Sequence, residues 1–459
     1  MLDKLTLSSV INTPWVLAWF KKFCDSKQLK QAGFYKRAGM GIAQLLHLLV
    51  VLPMTHLKVY TFSGDSLPVA GRDAFYRLLS NTSYDWRMLL LSIALKMTRH
   101  FDTLTDDDQP RYLIFDDTGY KRDRSKCVEY LGRQHDHSHG RYFRGFRMLT
   151  AVWSDGHSCL PLGFELLTNE DADKRIGPDP KVDKRTNGGK RVIAATQKAT
   201  DLTITMAQSA YNHKFKMDYV LFDSWFAFPQ VIKEVAKHTP VICRGKNTAA
   251  LKFKHQQKIY SVESLPLIFK KGGQTFKNPD IIGSAVVELL NTNLKVRVVV
   301  VTNRHDPDKK IVFISTDTQL SADEICCIYA RRWDIEVCFK AIKQHLGLYC
   351  MQMRDYSGLI GCCSVVIIRY LMLAYYHRGC IDDRTLPGMF YACVQQLQAA
   401  TIEACIEILR VKFKEFAESK QAQLVSNVLV EFLQMFENFK SEIMAQFEPI
   451  FKLNLKCES

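Results

Sequence analysis

The sequence predicts an α/β protein whose central sheet is flanked by a helical region at each end of the chain. Three observations support this prediction. Apolar runs of strand length between residues 112 and 244 alternate with stretches of helical spacing. Residues 245–315 contain further runs of β-composition. Helical spacing, by contrast, characterises residues 1–105 and extends again from 351 to the end of the chain.

The changes of pattern along the chain define five segments. A chain of 459 residues exceeds what one small hydrophobic core can organise, so several folding units are expected. The predicted segments are a helical N-terminal domain at 1–105, the first part of the α/β core at 106–244, a β-rich insertion at 245–315, a core helix at 316–350 and a helical C-terminal region at 351–459.

The N-terminal domain is predicted to be helical, with Pro53 and Pro68 marking breaks between apolar periodic stretches. Arginine residues are scattered along these stretches. Such a domain either docks on DNA or forms a helical cap on the core. Both interpretations stay open.

The core is predicted to begin with a buried strand, RYLIFDDTG, that ends in Asp116 and Asp117. Two further runs, at 146–154 and 159–167, are joined by an Asp-Gly pair typical of a hairpin turn. A second buried strand, MDYVLFDSWF, carries Asp223. Acids at the ends of strands lie where an open sheet places its active site.

Two segments between these strands are predicted to be loops. HDHSHGR, which begins at His135, carries histidines at alternate positions, but a zinc site there would need a strand and a nearby fourth ligand. We therefore expect a solvated loop near DNA. The basic stretch 171–190 is similarly predicted to be an exposed loop that contacts phosphates or is disordered.

The segment Ser321–Leu348 is the most informative part of the chain. A capping box formed by Ser321 and Glu324 predicts the start of one continuous helix. At about 100° per residue, four chemically distinct side chains fall within about 60° of one another, with Lys340 beside them. They are Tyr329, Arg332, Glu336 and Lys343. Such a face is either a solvated surface with charge pairs or a carboxylate set among phosphate-binding cations.

Asp116, Asp223 and Glu336 form a candidate metal-binding set. Cleavage of a phosphodiester by two divalent metal ions requires carboxylates that bridge and flank the ions. Hard oxygen ligands without Cys or His favour Mg²⁺ or Mn²⁺. Separation in sequence does not by itself establish that the three side chains meet, so this hypothesis depends on their predicted places at strand ends and on a helix.

The overall charge indicates a polyanionic partner. Lys and Arg exceed Asp and Glu, so that the formal net charge is +15. Nucleic acid and an acidic membrane surface would both suit that charge. No secretory signal is recognisable, and the apolar run 359–376 contains Arg369, which favours a buried helix over a membrane span. Fourteen cysteines without a CxxC motif indicate reduced thiols in a cytosol.

Three motifs resemble a known family. Tyr329, Arg332, Glu336 and Lys343 follow the pattern Y-x2-R-x3-E-x6-K, which resembles the signature of a large group of bacterial insertion-sequence DDE transposases. FDDTGYKR and LFDSWF resemble the segments that hold that group's first and second catalytic aspartates. The resemblance covers roughly residues 110–350 and extends weakly into the N-terminal helices.

The resemblance implies an RNase H-like core, cut-and-paste DNA transposition and a divalent metal. Asp116, Asp223 and Glu336 would be the metal ligands, with Asp117 as the rival of the first. Phosphates of the cleaved DNA end would be bound by Tyr329, Arg332, Lys340 and Lys343. The expected partners are double-stranded DNA, both terminal inverted repeats and target, and a second copy of the chain in the synaptic complex. The expected location is the bacterial cytoplasm, at the nucleoid.

Several alternatives remain open at this stage. A metal-dependent nuclease that cuts without rejoining, or a non-catalytic DNA-binding derivative of a transposase, would carry much the same sequence. Transposases of this group often form a hairpin on the element end, with an aromatic residue of the insertion stacked on a flipped base, but this insertion has no Trp. Trp225 and Trp333 lie near the acids, and we expect core roles for both.

Overall fold

A computed structural model describes most of the chain through residue 397. The described residues are 13–55, 59, 71–136, 140–269, 275–304, 306, 308–350, 352–379, 384–397, 411, 434, 435, 437 and 438. Contacts divide the chain into two units. A helical unit comprises Met1–Leu89, Ala341–Met351 and Ser357–Ser459, and a sheet unit comprises Leu90–Lys340 and Gln352–Tyr356. The five-segment division remains a prediction.

The sheet unit is built on an 11-stranded sheet. Its strands are β1 Tyr112–Lys121, β2 Gly132–Asp136, β3 Arg141–Ser154, β4 Cys159–Leu167, β5 Tyr219–Phe222, β6 Val241–Arg244, β7 Lys252–His255, β8 Lys258–Ser261, β9 Ile281–Leu289, β10 Leu294–Thr302 and β11 Lys310–Ser315. Their order is β2-β3-β1-β5-β6-β11-β10-β9-β7-β8, with β4 also paired to β3.

The helices of the described residues are α1 Pro14–Phe23, α2 Ser26–Gln31, α3 Ile42–Val51, α4 Arg72–Ser80, α5 Trp86–Asp102, α6 Asn187–Ala194, α7 Ala199–Asn212, α8 Pro229–Ala236, α9 Ala322–Ala330, α10 Trp333–Gln344 and α11 Tyr356–Gly379. Residues 386–397 are also helical. The predicted C-terminal helix at 421–447 falls almost entirely outside the described residues.

The core of the sheet unit is RNase H-like, as predicted. β1 is antiparallel to β3 and parallel to β5, and β5 is in turn parallel to β6. The parallel strands β5 and β6 are short and almost fully buried, which explains why they are continuous apolar runs without polar alternation. The predicted Asp-Gly hairpin joins β3 to β4, and its Gly156 has a φ of +83°, which favours glycine.

The insertion extends the core sheet. β11 pairs antiparallel with β6. Beyond β11 the strands β10, β9, β7 and β8 each pair with the strand before them in that order. Against this sheet, α9 and the start of α10 bury Ile325, Ile328 and Ile335 in one cluster with Ile114 and Val299. Each fully buried isoleucine contributes roughly 1.5–3 kcal/mol of hydrophobic stabilisation, so this cluster fixes both helices on the sheet.

One strand was not predicted. Two residues of the predicted solvated loop, His135 and Asp136, lie in β2, where His135 pairs with Tyr142 of β3. Residues 137–139 of that loop lie outside the described residues. The expectation of a loop at His135 is therefore wrong. β2 escapes prediction because it is short and its exposed positions are polar, so it shows little apolar alternation.

The helical unit contains the long apolar helix α11, whose buried Arg369 is explained by hydrogen bonds. Arg369 Nε donates to Val50 O at 2.6 Å and Nη2 to Leu49 O at 2.9 Å, while Nη1 donates to Leu346 O. Val50 and Leu49 lie in the last turn of α3, whose carbonyls lack partners within the helix. Among the described residues α11 is the one helix long and apolar enough to cross a membrane, and that stretch is entirely buried.

Candidate active site

Asp116 and Asp223 lie just past the point where the parallel pairing of β1 with β5 ends, although β1 itself continues to Lys121. The last registered pair of β1 and β5 is Phe115 with Phe222, and each aspartate is the next residue along the chain. Side chains that follow registered parallel strands lie side by side at the carboxyl end of that pairing. The predicted strand around Asp223 is shorter than expected, because Asp223 Oδ1 accepts a hydrogen bond from Trp225 N at 2.8 Å and turns the chain.

The segment that carries Glu336 forms two helices. The predicted capping box is present at the start of α9, where Ser321 and Glu324 exchange hydrogen bonds. The prediction of a helix without interruption before Gly347 is nevertheless wrong, because α9 ends at Ala330 and α10 begins at Trp333.

The break arises where the backbone tightens and is held by the β3–β4 turn. Arg331 N and Arg332 N each donate 3.0 Å hydrogen bonds to carbonyls only three residues earlier, in place of the four of an α-helix. The Arg331 side chain donates to Gly156 O at 3.2 Å. Ser154 Oγ donates to Asp334 Oδ2 at 2.6 Å. Because these bonds are tertiary, helical periodicity could not reveal the break.

Arg332 joins two of the three predicted acids. Its Nη1 donates to Asp116 Oδ2 at 3.1 Å, and its Nη2 donates to Glu336 Oε1 at 2.5 Å. The side chains of Arg332 and Asp116 are each 17% exposed and that of Glu336 is 33% exposed. The structure therefore brings Asp116, Arg332 and Glu336 together in a half-buried ion-pair network.

The two aspartates are electrostatically strained. Burial, and then the neighbouring charge of Asp223, raise the pKa of Asp116 to about 7, although Arg332 partly offsets them. Burial likewise raises the pKa of Asp223. Two carboxylates that repel each other in a half-buried site favour either a proton or an additional cation. The two aspartates therefore favour an additional positive charge at this site.

Asp117, the rival of Asp116, has a different partner. Arg147 Nε donates to Asp117 Oδ2 at 2.8 Å, and Arg147 Nη2 contacts the same oxygen. The Arg147 guanidinium also lies 5.5 Å from the centre of the Trp225 ring, and Lys246 Nζ lies 4.2 Å from it. Arg147 was not predicted as a site residue, because no sequence pattern connects it with β1. Lys246 lies at the start of the predicted β-rich insertion.

The phenol and the lysines of the signature segment differ in burial and in their neighbours. Tyr329 packs on Phe313 with ring centres 4.6 Å apart, and its ring lies 6.0 Å from the Arg332 guanidinium. Burial raises the pKa of Tyr329, so its hydroxyl stays protonated at neutral pH. Lys340 is exposed and makes no ion pair within the described residues. Lys343 lies one turn further along α10, in the part of that helix assigned to the helical unit.

Trp333 corrects another expectation. Its side chain is 61% exposed at the start of α10, so it has no core role within the described structure. Trp225 is half-buried, and the Arg147 guanidinium and Lys246 Nζ both lie near its ring.

The donor set partly fits a divalent cation. The carboxylates of Asp116 and Asp223 offer oxygen donors of the type that Mg²⁺ prefers. No three His, Cys, Asp or Glu side chains of the described residues lie close enough to hold a metal ion together. The Glu336 carboxylate is instead bound by Arg332.

Two family models match overlapping parts of the chain. One is described as "DDE superfamily endonuclease" and matches residues 66–264. The other is described as "Archaeal putative transposase ISC1217" and matches residues 189–375. Both matches are consistent with a DDE transposase. The first match contains Asp116 and the second contains Glu336, while Asp223 lies in both.

These matches agree with the RNase H-like sheet and with a nuclease of the transposase type. DDE superfamily nucleases generally use divalent metal ions. The narrower group defined by the Y-x2-R-x3-E-x6-K signature rests on the resemblance of the sequence alone. No curated protein matches the chain.

Proposed function

We propose that this DDE-type protein is the transposase of a bacterial insertion element and moves the element by cut-and-paste transposition. The observation that carries the proposal is the arrangement around Arg332. Two aspartates follow registered parallel strands, and the signature arginine links the first of them to the signature glutamate. A merely solvated helix face would not join the signature to the strand ends.

Asp116, Asp223 and Glu336 would hold a divalent cation such as Mg²⁺ or Mn²⁺, which when bound activates the attacking oxygen and neutralises charge on the leaving oxygen. The raised pKa values of both aspartates support this assignment, because burial disfavours their charged forms and added positive charge would offset that cost. Glu336 joins the set when Arg332 releases it.

Arg332 has an exchange role in this proposal. In the structure its guanidinium is shared between two carboxylates. A DNA phosphate offers the same bidentate geometry to a guanidinium. Arrival of DNA would thus transfer Arg332 to the phosphate and free Glu336. Tyr329, Lys340 and Lys343 would orient further phosphates and neutralise charge that develops in the transition state.

The chemistry consists of two displacements at phosphorus. In the first, a water oxygen bonds to the phosphorus at the element end while the bond to the bridging 3′ oxygen breaks, which leaves a 3′-OH and a 5′-phosphate. In the second, that 3′-OH bonds to a phosphorus of target DNA and a target 3′ oxygen leaves. Each step exchanges one P–O bond for another, so that no oxidant or energy source is required.

Partners and location follow from this chemistry. Both terminal inverted repeats must be cut and joined to one target, so we propose that two copies of the chain act in one synaptic complex. The net charge of +15 suits a DNA partner. We propose that the protein works in the bacterial cytoplasm, at the nucleoid.

The test is cleavage and strand transfer with Mg²⁺ on DNA that carries the element's own ends. Asp223→Asn and Glu336→Gln are compared with wild type and with Asp201→Asn, an exposed aspartate of α7. We expect joined products from wild type and from Asp201→Asn, and none from the two site variants. Equal activity in the site variants would refute the triad.

Two other outcomes identify the competing functions. Cleavage by wild type without any joined product would favour a nuclease that does not transfer strands. Binding of the element ends without cleavage by any sample would favour a non-catalytic DNA-binding derivative.

A further inference from the structure

A basic face on the edge of the sheet, away from the active site, is not used by the proposed chemistry. β2 and β3 form an antiparallel ribbon whose alternate side chains point to opposite sides. Gln134 and Phe143 point inward and are buried. On the other side Arg133, Tyr142 and Arg144 are exposed. We call these three residues the ribbon face.

The ribbon face places two like charges opposite each other. Arg133 of β2 is the direct cross-strand partner of Arg144 of β3. Like charges in that position destabilise a sheet unless an anion lies between them. Neither guanidinium forms an ion pair within the described residues. Nearby Asp123 is engaged by the Arg144 backbone N at 2.9 Å, and Lys174 is paired with Asp171.

The shape and the aromatic contact at the ribbon face suit phosphates better than bases. The three residues line an open depression of about 960 Å³, together with Lys174 and the carboxylates of Asp123 and Asp173. The Arg133 guanidinium lies 4.5 Å from the centre of the Tyr142 ring, which orients it, and the His135 ring contacts the same ring edge-on at 4.9 Å. With those neighbours Tyr142 serves to position Arg133, and two oriented guanidinia match phosphate oxygens.

We propose that the ribbon face binds the phosphate backbone of the same DNA duplex that is cut at the active site. Along β3, Arg144 lies six residues from Thr150, the partner of Asp116. At about 3.4 Å per residue this is about 20 Å. The same length spans about six base pairs of duplex. The proposal rests on the proposed function only in that DNA is the substrate.

The first experiment measures binding of the full-length protein to a duplex that carries the element end, over a series of salt concentrations. The variant is Arg133→Ala with Arg144→Ala, and the control is Arg304→Ala, an exposed arginine that is already paired with Asp280. We expect the double variant to lose roughly ten- to hundredfold in affinity at low salt. The slope of log K against log salt should fall by about 2, because two phosphate contacts are lost. The control should match wild type.

The second experiment locates the contact on the DNA. Single phosphates along each strand are replaced by neutral methylphosphonates. Wild type should lose affinity at positions about six base pairs from the cut, and the double variant should be insensitive there. An unchanged salt slope in the double variant, or equal sensitivity of both proteins at every phosphate, would overturn the proposal.

Two controls distinguish this proposal from a purely structural role of the ribbon face and from failure of the proposed transposase function. Arg144→Ala alone should raise the thermal unfolding midpoint of the free protein slightly, because it removes cross-strand repulsion, whereas loss of a structural contact would lower it. Failure of the ribbon face would leave wild-type cleavage intact. If the proposed transposase function is wrong, wild type will not cleave, but the salt dependence of binding can still be compared between wild type and the double variant.

Discussion

At the scale of single residues, the chemistry of this protein depends on how one guanidinium is shared. Arg332 contacts Asp116 and Glu336 at once, and Asp223 adds a further negative charge nearby. A planar guanidinium can bridge two carboxylates, whereas an ammonium is a point charge. Because both carboxylates bound by Arg332 are proposed metal ligands, substitutions here should affect chemistry more than folding.

Arg332→Lys tests that role. We expect single-turnover cleavage to fall by about a hundredfold, as for loss of one preorganised donor, with a smaller effect on DNA binding. The measurement is the cleavage rate at saturating DNA, with Arg304→Lys as the matched surface control. A rate within twofold of wild type would show that Arg332 is only a surface charge.

Substitutions of the adjacent Asp116 and Asp117 should have different effects. Asp116→Asn should reduce cleavage at least a thousandfold, because it removes a proposed metal ligand. Asp117→Asn should retain most activity and lose about 1 kcal/mol of unfolding free energy, since it loses a half-buried ion pair with Arg147. Cleavage rates and denaturant unfolding of both variants give the answer. The opposite ranking of rates would make Asp117 the ligand.

At the scale of the elements, the turn between β3 and β4 determines where the signature glutamate lies. Arg331 and Asp334 attach the break between α9 and α10 to that turn. Glu336 lies on the first turn of α10, so these hydrogen bonds also fix its position. A positioning role is thereby assigned to residues with no reactive chemistry of their own.

Ser154→Ala should reveal that positioning. The change leaves the half-buried Asp334 carboxylate without its 2.6 Å donor, at a cost of about 1–3 kcal/mol in unfolding free energy. We expect cleavage to fall about tenfold at saturating Mg²⁺, while DNA affinity stays unchanged. Ser158→Ala, on the same turn, serves as control because Ser158 contributes only backbone hydrogen bonds there. A loss of stability without any loss of rate would contradict the positioning role.

The helical unit should carry an acid-sensitive element in α3. Burial lowers the pKa of His47 from 6.5 to about 4, and the ring packs against Phe20 with centres 5.3 Å apart. Between pH 6.5 and pH 4, His47 is protonated in the unfolded chain but stays neutral in the folded chain. Stability is therefore lost as the pH falls from 6.5 toward 4, by up to about 3 kcal/mol.

His47→Leu should remove that component. Denaturant unfolding at pH 7 and at pH 4.5 gives the comparison, with His157→Leu at an exposed position as control. If the pH dependence of the His47→Leu protein equals that of wild type, His47 is not the titrating group.

At the scale of the whole molecule, binding and chemistry should respond to different ions. Binding depends on a chain with net charge +15 and should weaken steeply with monovalent salt. Cleavage depends on the carboxylate set, and chelation by EDTA should abolish it while leaving element-end binding within about threefold. Mg²⁺ or Mn²⁺ should restore the rate. Undiminished cleavage in EDTA would exclude the proposed metal chemistry.

The sheet itself shows what sequence patterns can predict. The apolar runs of β1, β5 and β6, the Asp-Gly turn and the capping box of α9 are all recognisable, because each depends on residues close together in the chain. The three acids and the signature are likewise recognisable, because each lies within a short motif. The partnership of Asp117 with Arg147 is not, because it depends on the register of β1 against β3.

The sequence by itself thus determined the fold class and the chemical types gathered at the candidate site, since local periodicity and short motifs encode them. Tertiary structure alone decided the break before Trp333, the exposure of that Trp, the strand β2 and the sharing of Arg332 between two acids. Each of these results from contacts between segments far apart in the chain, for which single-sequence periodicity carries no signal.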